Sequence, residues 1–304
     1  MATGIVVSDL KLAVIGQSPG NGHPYSWSAI INGYERQAME SCGFPAIPRY
    51  LEQQRWPDAR IGGARVTHVW TQDEQMSRSI AQATRIPQMA ASLDELVGSV
   101  DAVLLARDDS QLHLQHAAPF LDAGLPIYID KPIATSREKL RELRTRERFP
   151  GQIFTCSALR YSPELQLSQE QRKQVGQLVS VNATTPKAWN TYAVHVVEPV
   201  TAMLGSDRPV EVERVDRAHG SATSVQLIWG GTTEVCFTAT GLTSATMSIE
   251  VVGDRGTVTL GDPSPFAAFK KALQEFIDGV RSREVRTNWR DVDRIVEILE
   301  IGTS

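Results

Sequence analysis

A lysine at the end of a predicted buried strand is the first residue whose position suggests chemistry. Residues 125–132 read LPIYIDKP, an apolar run without alternation that stops at an acid, a lysine and a proline. Such a run is typical of a parallel strand covered on both faces, and Pro132 lacks the N–H that would continue the ladder, so the strand is predicted to end at Lys131. Ligands bind beyond the carboxyl ends of strands in open α/β sheets. Lys131 is therefore expected to direct its ammonium at a bound molecule; the alternative is a surface lysine at a strand end.

The turn after the first predicted strand, Leu12–Gly16, is a candidate phosphate site. Residues 16–24 read GQSPGNGHP and lead into a predicted helix from Tyr25 to Met39. Backbone N–H groups of a glycine-rich turn and a helix N-terminus can cradle a phosphate. The spacing departs from G-x-G-x-x-G, so a tight surface turn is the alternative. As a phosphate site, the turn would use Gly16, Ser18, Pro19, Gly20, Gly22 and His23.

Polar residues also follow the other predicted strands of the same sheet. Thr71 and Gln72 follow the strand Arg65–Trp70, where an acid would bind the ribose 2′-hydroxyl of NAD. Either Asp73 takes that role or neutral hydrogen bonds hold the ribose, so the choice between NAD and NADP stays open. Asp73 as the N-cap of a predicted helix Glu74–Thr84 is the alternative. Three further side chains are expected at the same edge, namely Arg107, Asp108 and Asp130.

A histidine on a predicted helix is the second candidate for proton chemistry. The apolar spacing of residues 189–199 places Thr191, His195 and Glu198 along one side of a helix. An unperturbed histidine titrates at about 6.5, so it can accept a proton near neutral pH. A buried structural histidine is the alternative for His195.

The elements that must position these residues form two predicted domains. Strands and helices alternate through residues 1–133, which predicts a doubly wound parallel sheet. Residues 134–304 are predicted to form an α+β domain with a mostly antiparallel open sheet, which makes the chain an α/β protein. The predicted strands of this domain include Gln152–Ala158, and the outer sheet face could be solvated or could join a second copy. We expect a homodimer or homotetramer through that sheet.

Composition excludes several classes of partner. The chain has 304 residues and a net charge of −4 without a Lys/Arg block, which argues against nucleic acid or an anionic membrane as partner. The three cysteines are widely separated and do not suggest disulfides or a thiolate metal site. His113 and His116 lack a nearby third ligand, so no metal is expected. Met1 to Leu10 does not read as a leader, and no stretch is long and apolar enough to span a membrane, so a cytoplasmic protein is expected.

The order of these motifs resembles the Gfo/Idh/MocA family of nicotinamide-dependent sugar and inositol oxidoreductases. Asp130, Lys131 and Pro132 resemble its E-K-P step, and His195 falls on the histidine of its D-x-x-x-H-x-x-D stretch. Glu198 matches the closing acid of that stretch. The resemblance implies a Rossmann domain that binds NAD or NADP, followed by a substrate-binding domain.

Other positions agree with or depart from the family pattern. Arg160 to Pro163 is similar to the family's R-F-x-P segment, and His113 matches a histidine ahead of the lysine strand. Thr191 stands where the family has an aspartate, and Asp108-Asp109 replaces a neutral Thr-Pro pair. The phosphate turn is longer and contains prolines.

The resemblance implies that a hydride moves between cofactor and a hydroxyl or keto carbon of a sugar, cyclitol or nucleotide-sugar. Such a reaction needs a proton acceptor and a positive charge near the developing alkoxide. We assign His195 as general acid/base and Lys131 as electrostatic and positioning group; the reverse assignment is the alternative, for a Lys131 desolvated beside the nicotinamide. The substrate is expected to contact Lys131, Arg160, Trp189, Asn190, Tyr192 and His195. Core packing is the alternative for Trp189.

Two other functions fit the same residues. One is a glycosidase that uses bound NAD for transient oxidation, and it would show no net cofactor turnover. The other is a nucleotide-binding regulatory protein without catalysis, which the replaced aspartate favours and the retained Lys131 and His195 oppose.

Overall fold

The computed structural model describes residues 8–217 and 222–303 of the chain. Residues 1–7 lie outside this range, and they make up most of the segment Met1 to Leu10 that is not expected to be a leader. The described strands, in chain order, are β1 (Leu10–Ile15), β2 (Ala64–Trp70), β3 (Gln88–Met89), β4 (Ala102–Leu105), β5 (Ile127–Ile129), β6 (Ile153–Phe154), β7 (Leu178–Thr185), β8 (Val210–Arg217), β9 (Thr223–Trp229), β10 (Thr233–Ala239), β11 (Ser248–Gly253) and β12 (Thr257–Gly261).

The helices share the amphipathic or buried character expected of elements that cover sheets. In chain order they are α1 (His23–Asn32), α2 (Arg36–Glu40), α3 (Ala46–Glu52), α4 (Glu74–Thr84), α5 (His113–Asp122), α6 (Arg137–Thr145), α7 (Gln169–Val175), α8 (Trp189–Tyr192), α9 (Val194–Leu204), α10 (Pro265–Ser282) and α11 (Trp289–Thr303). None of the helices in the described ranges is long and apolar enough to cross a membrane.

The described residues form two compact units that interleave along the sequence. The first comprises the described part of Met1–Asp130 together with Arg146–Thr155 and Phe269–Arg286. The second comprises Lys131–Thr145, the described part of Cys156–Ala268 and the described part of Thr287–Ser304. The expected boundary at residue 133 stays a prediction of domain organisation.

The first unit contains a six-stranded parallel sheet in the order β3-β2-β1-β4-β5-β6. Its central strands β4 and β5 are buried along their whole length, because helices cover both faces of a doubly wound sheet. This strand order is that of the Rossmann fold, and the predicted parallel sheet is confirmed. The order reverses between β1 and β4, so their carboxyl ends border the crevice in which such folds bind ligands.

The second unit contains a six-stranded mixed sheet in the order β12-β11-β7-β10-β9-β8. The pair β7 and β10 is parallel and the other pairs are antiparallel, which confirms the predicted mostly antiparallel sheet. Val181, Phe237 and Trp229 on one face belong to a core that α9 and α11 share. The opposite face exposes Asn182 and Gln226, and its use as a contact between copies stays a prediction.

Three predicted elements differ in the structure. The helix predicted over 25–39 is two helices, because α1 ends at Gly33, which has φ +84° and whose N–H donates to the carbonyl of Ala29. The strand before Lys131 ends at Ile129, two residues earlier than predicted. The segment predicted as strand Gln152–Ala158 of the second sheet is the short β6, which pairs in parallel with β5 in the first sheet.

Candidate functional site

The turn between β1 and α1 lies along the carboxyl edge of the first sheet. Gly16 has φ +75°, and its N–H donates to the carbonyl of Trp70 at the end of β2, 2.8 Å away. The side-chain amide of Gln72, through Nε2, donates to the backbone carbonyl of Gln17 at 2.6 Å. The hydroxyl of Ser18 donates to Asp108 beyond β4 at 2.5 Å. Side chains from two neighbouring strand ends therefore hold the turn in place.

Asp130 fixes the other end of the turn. Its buried carboxylate accepts a hydrogen bond from Asn21 Nδ2 at 2.9 Å, and its Oδ2 lies 2.5 Å from Nδ1 of His23. The His23 ring stacks on Trp27 with 5.0 Å between ring centroids. Asp130 thus holds two residues of the turn and directly precedes Lys131, to which a cis peptide bond joins Pro132.

Arg107 covers the first glycine of the turn. A methyl group built on Gly16 would lie 2.5 Å from Cδ of Arg107, so only glycine leaves room for this side chain. The guanidinium donates two hydrogen bonds to Asp109, at 2.8 and 2.5 Å, and a third to Oε1 of Gln72 at 3.1 Å. Arg107 therefore extends from the end of β4 past β1 to the tip of β2.

The N-terminus of α1 offers few free amides to an anion. Pro24 has no N–H, and the amide of His23 donates to Oδ1 of Asn21 at 2.9 Å. Donors of the turn suited to a pyrophosphate include the amide of the exposed Gly20, where a Cβ would meet nothing within 4 Å, and the side chains of His23 and Arg107. The hydroxyl of Ser18 could donate to it only by giving up its bond to Asp108. These residues fit a dinucleotide phosphate. Here side chains replace the backbone amides with which a helix N-terminus binds the phosphate in regular Rossmann folds.

Asp73 serves as the cap of α4. Its Oδ1 accepts from the amides of Gln75 and Met76, at 2.7 and 3.3 Å. The hydroxyl of Thr71 donates to the carbonyl of Asp73 at 2.6 Å. The cap role is thus confirmed, and a ribose contact from Thr71, Gln72 or Asp73 stays a prediction.

The two histidines of α5 bind backbone carbonyls. Nε2 of His113 lies 2.8 Å from the carbonyl of Arg107, and Nδ1 of His116 lies 2.8 Å from that of Leu112. His113 therefore holds the segment that carries Arg107. In the residues that the structure describes, no group of His, Cys, Asp and Glu is arranged to hold a metal ion.

His195 of the second unit is oriented by a serine. Its Nδ1 lies 2.8 Å from the hydroxyl of Ser157, which orients the imidazole ring. The amide of Ser157 in turn donates to Oε2 of Glu198 at 2.6 Å. A neutral hydroxyl therefore contacts the ring nitrogen, while the acid of the motif holds the serine backbone.

Glu198 also forms a buried ion pair with Arg160. The guanidinium donates to Oε1 of Glu198 at 2.9 Å and to Oδ2 of Asp291 at 3.2 Å. Burial raises the pKa of Glu198 by more than Arg160 and the Ser157 amide lower it. Burial lowers the pKa of Arg160, but the charge of Glu198, with smaller contributions from Cys156, Tyr161 and Asp291, outweighs this and the pKa is raised. Two carboxylates thus bind the guanidinium that was expected to hold an anionic substrate, and the substrate contact of Arg160 stays a prediction.

Lys131 and His195 both contact the ring of Tyr192. Nζ of Lys131, a residue only 4% exposed, lies 5.9 Å from the ring centroid, and the His195 ring meets it edge-on at 5.1 Å between centroids. The second unit therefore brings an ammonium and an imidazole to one tyrosine. An imidazole can exchange a proton and an ammonium can stabilise a negative oxygen, which are the two groups that alcohol oxidation requires.

Trp189 and Asn190 have structural contacts. Trp189 is 3% exposed, and its Nε1 donates to the carbonyl of Leu299 at 3.0 Å, so the core role is the one that the geometry favours. The exposed Asn190 accepts a hydrogen bond from the hydroxyl of Thr303 at 3.3 Å. Of the residues expected in the substrate wall, Lys131, Tyr192 and His195 are the ones that the structure brings together.

Ser157 and Asn21 were not predicted from the sequence. Ser157 lies three residues beyond β6, and its only sequence signal is a small polar residue after a buried apolar run. Asn21 lies within the predicted phosphate turn, but only the glycines, Ser18, Pro19 and His23 of that turn were predicted to contribute. Both residues act through contacts with side chains far along the sequence, which no local pattern shows.

Comparison with known proteins agrees with the motif analysis. Residues 44–157 match the model of the Gfo/Idh/MocA family, described as an oxidoreductase family with an NAD-binding Rossmann fold, which confirms the resemblance. No curated protein matches the sequence.

Solved structures share the fold over nearly the whole chain. A myo-inositol dehydrogenase from Lactobacillus casei, in complex with NAD(H) and myo-inositol, is 15% identical with a TM-score of 0.73, covering 97% of this chain and 94% of that one. GenD2 from gentamicin A biosynthesis, in complex with NAD, is 16% identical with a TM-score of 0.71 and coverages of 98% and 94%. A biliverdin reductase from Synechocystis is 13% identical with a TM-score of 0.66 and coverages of 97% and 98%.

Proposed function

We propose that this chain, an NAD-binding oxidoreductase of the Gfo/Idh/MocA type, oxidises or reduces a hydroxyl or keto carbon of a sugar, cyclitol or nucleotide-sugar. The observation that carries the proposal is the joint contact of Lys131 and His195 with Tyr192. The family match supports the oxidoreductase chemistry. The inositol dehydrogenase of the same fold supports a polyol as the first substrate to test.

The cofactor is proposed to be NAD or NADP, which supplies the hydride acceptor or donor when bound. Ser18, Gly20 and His23 would hold its pyrophosphate, and Arg107 would exchange a bond to Asp109 for a phosphate oxygen. Gln72, at the tip of β2, would face the adenosine ribose.

The proton chemistry is proposed to rest on the second unit. In the oxidation direction, the imidazole of His195 takes the hydroxyl proton while Ser157 holds its other nitrogen. The ammonium of Lys131 stabilises the oxygen that loses this proton. In the reduction direction, the protonated imidazole returns the proton to that oxygen.

A screen of polyols and sugars with NAD and NADP tests the proposal. A dehydrogenase changes nicotinamide absorbance in proportion to product. A glycosidase that uses bound NAD releases product without net change in absorbance, and a regulatory protein binds the dinucleotide without product. Myo-inositol and its ketone are the first pair to test in the two directions.

Ser157 is expected to contribute to turnover through the orientation of His195. Ser157→Ala removes one hydrogen bond of about 0.5–1.5 kcal/mol, so kcat should fall about 2- to 10-fold with little change in cofactor binding. Ser157→Asp places a carboxylate beside the imidazole, which stabilises its protonated form and should move the acidic limb of the kcat profile to higher pH. Ser180→Ala, on the outer face of β7, is the matched control. An unchanged kcat and profile in both variants would remove Ser157 from the mechanism.

Arg107 is expected to contribute more to NADP binding than to NAD binding. Its guanidinium reaches Gln72 at the tip of β2, where the 2′-substituent of the ribose is read. Arg107→Ala should weaken NADP binding by about tenfold or more, since hydrogen bonds to charged groups contribute roughly 1.5–3 kcal/mol. Fluorescence titration with both cofactors measures this. Equal losses for NAD and NADP would place the guanidinium on the pyrophosphate alone.

A further inference from the structure

Lys187 forms the closest polar contact of Tyr192. It lies in the connection between β7 and α8 and has φ +60°, a conformation uncommon for a residue with a side chain. Two backbone hydrogen bonds hold it there: its N–H donates to the carbonyl of Leu242 at 3.0 Å, and its carbonyl accepts from Gly241 at 2.8 Å. The backbone is thus fixed at the point from which the side chain extends to Tyr192.

The ammonium of Lys187 determines how the Tyr192 hydroxyl can bond. Nζ lies 2.5 Å from Oη and 4.2 Å from the ring centroid. An ammonium only donates, so Oη is the acceptor and the tyrosine's own O–H remains to donate elsewhere. None of the residues that the structure describes accepts that proton, and the side chain is half-buried rather than enclosed. A hydroxyl whose oxygen accepts from a cation is a stronger donor than an isolated one.

The same ring lies beside the two groups assigned to catalysis. Lys131 and His195 contact it at 5.9 and 5.1 Å from its centroid. A substrate oxygen that exchanges a proton with His195 would therefore be near the phenol hydroxyl.

We propose that Tyr192 donates its O–H to the reacting oxygen of the substrate and that Lys187 is the positioning residue that holds and polarises it. This inference rests on the proposed function. In oxidation the carbinol C–H bond breaks, the hydride leaves to the dinucleotide, the hydroxyl proton goes to His195, and a C=O bond forms. Tyr192 keeps its proton and stabilises the negative charge that develops on oxygen. Any secondary alcohol or ketone that the enzyme turns over uses this donor.

A double-mutant cycle on turnover tests the assignment. Removal of one donor to a developing oxyanion costs about 10²–10³-fold in kcat, which sets the expectation for Tyr192→Phe. Lys187→Met should cost about tenfold, and Lys187→Arg should restore part of the loss because it can still donate. In the Tyr192→Phe background Lys187→Met should cost nothing further, since the group that it polarises is gone. Lys173→Met, at an exposed position of α7, and Tyr34→Phe are the controls and should leave kcat unchanged.

The contact between Lys187 and Tyr192 can also be measured without substrate. In protein labelled with 3-fluorotyrosine, the ¹⁹F resonance lost in Tyr192→Phe identifies Tyr192, and Lys187→Met should shift it whereas Lys173→Met should not. If the wild type turns over a substrate, an unchanged kcat in Tyr192→Phe would overturn the inference on Tyr192 and leave the proposed function standing. Additive losses of kcat in the double variant would do the same. The absence of turnover by the wild type with every polyol and both cofactors would overturn the proposed function, and the role of Tyr192 with it.

Discussion

His195→Asn and Lys131→Ala each lower kcat by about 10²–10⁴-fold, the loss typical of a removed acid/base group. Asparagine keeps a hydrogen-bonding side chain beside Ser157 but cannot exchange a proton in this role. Alanine at position 131 removes the buried ammonium near Tyr192. Steady-state turnover of the best substrate from the polyol screen measures both effects.

Controls separate lost chemistry from lost structure. Lys131→Met removes the charge but keeps most of the side-chain volume, so it should lose as much turnover as Lys131→Ala. Lys139→Ala removes an exposed lysine of α6 and should leave kcat unchanged. The Kd for the cofactor and the midpoint of thermal unfolding should remain close to their wild-type values in His195→Asn. Retention of wild-type kcat by either variant would exclude that residue from the proton chemistry.

Glu198→Ala should destabilise the second unit, by at most about 3–5 kcal/mol, because Arg160 loses its closer carboxylate and keeps only Asp291, at 3.2 Å. Arg160 loses its bond at 2.9 Å, and the amide of Ser157 loses an acceptor at 2.6 Å. Glu198 is 4% exposed, so solvent does not replace these contacts. Urea unfolding with and without the substitution measures the loss.

An exposed acid and a double substitution are the controls for this stability effect. Glu211→Ala removes an exposed acid of β8 and should change the free energy of unfolding by no more than about 0.5 kcal/mol. Replacing both members of the pair, in Glu198→Leu with Arg160→Met, should recover part of the loss, because Arg160 is no longer left without its closer carboxylate and only Asp291 loses the guanidinium. A loss below about 1 kcal/mol in Glu198→Ala would show that the pair does not hold this unit together.

Local patterns predicted the sheets because burial leaves a direct trace in the sequence. The continuous apolar runs of β4 and β5 indicate strands covered on both faces. The alternation of β8 indicates a strand with one buried face, but β8 is an edge strand with a register shift after Val212, which is 50% exposed. The N-cap Asp73 was predictable because its contacts lie within three residues of it. The helix break at Gly33 was missed, because a single glycine inside an otherwise apolar pattern does not by itself end a helix.

The arrangement of the candidate site depends on contacts that sequence spacing does not carry. Arg160 was expected to contact the substrate because a guanidinium can hold a carboxylate or phosphate group, but its contact with Asp291, far along the chain, could not be predicted from spacing. Ser157 and Lys187 are each proposed to act through one hydrogen bond, to His195 and to Tyr192, and neither a serine nor a lysine is distinctive in a sequence. The positions of Lys131 near a strand end and of His195 on a helix were predictable because local patterns mark both elements, and their roles stay predictions.

Transfer of deuterium from the substrate to the nicotinamide tests the central claim most directly. A polyol deuterated at its carbinol carbon, incubated with the wild-type protein and the oxidised cofactor, should yield cofactor with deuterium at the carbon that accepts the hydride, in proportion to the ketone formed. The same incubation with His195→Asn should yield about 10²–10⁴-fold less in equal time. Ketone formation without deuterium in the cofactor, or no ketone from any polyol with NAD or NADP, would contradict the assignment of this chain as a hydride-transferring polyol oxidoreductase.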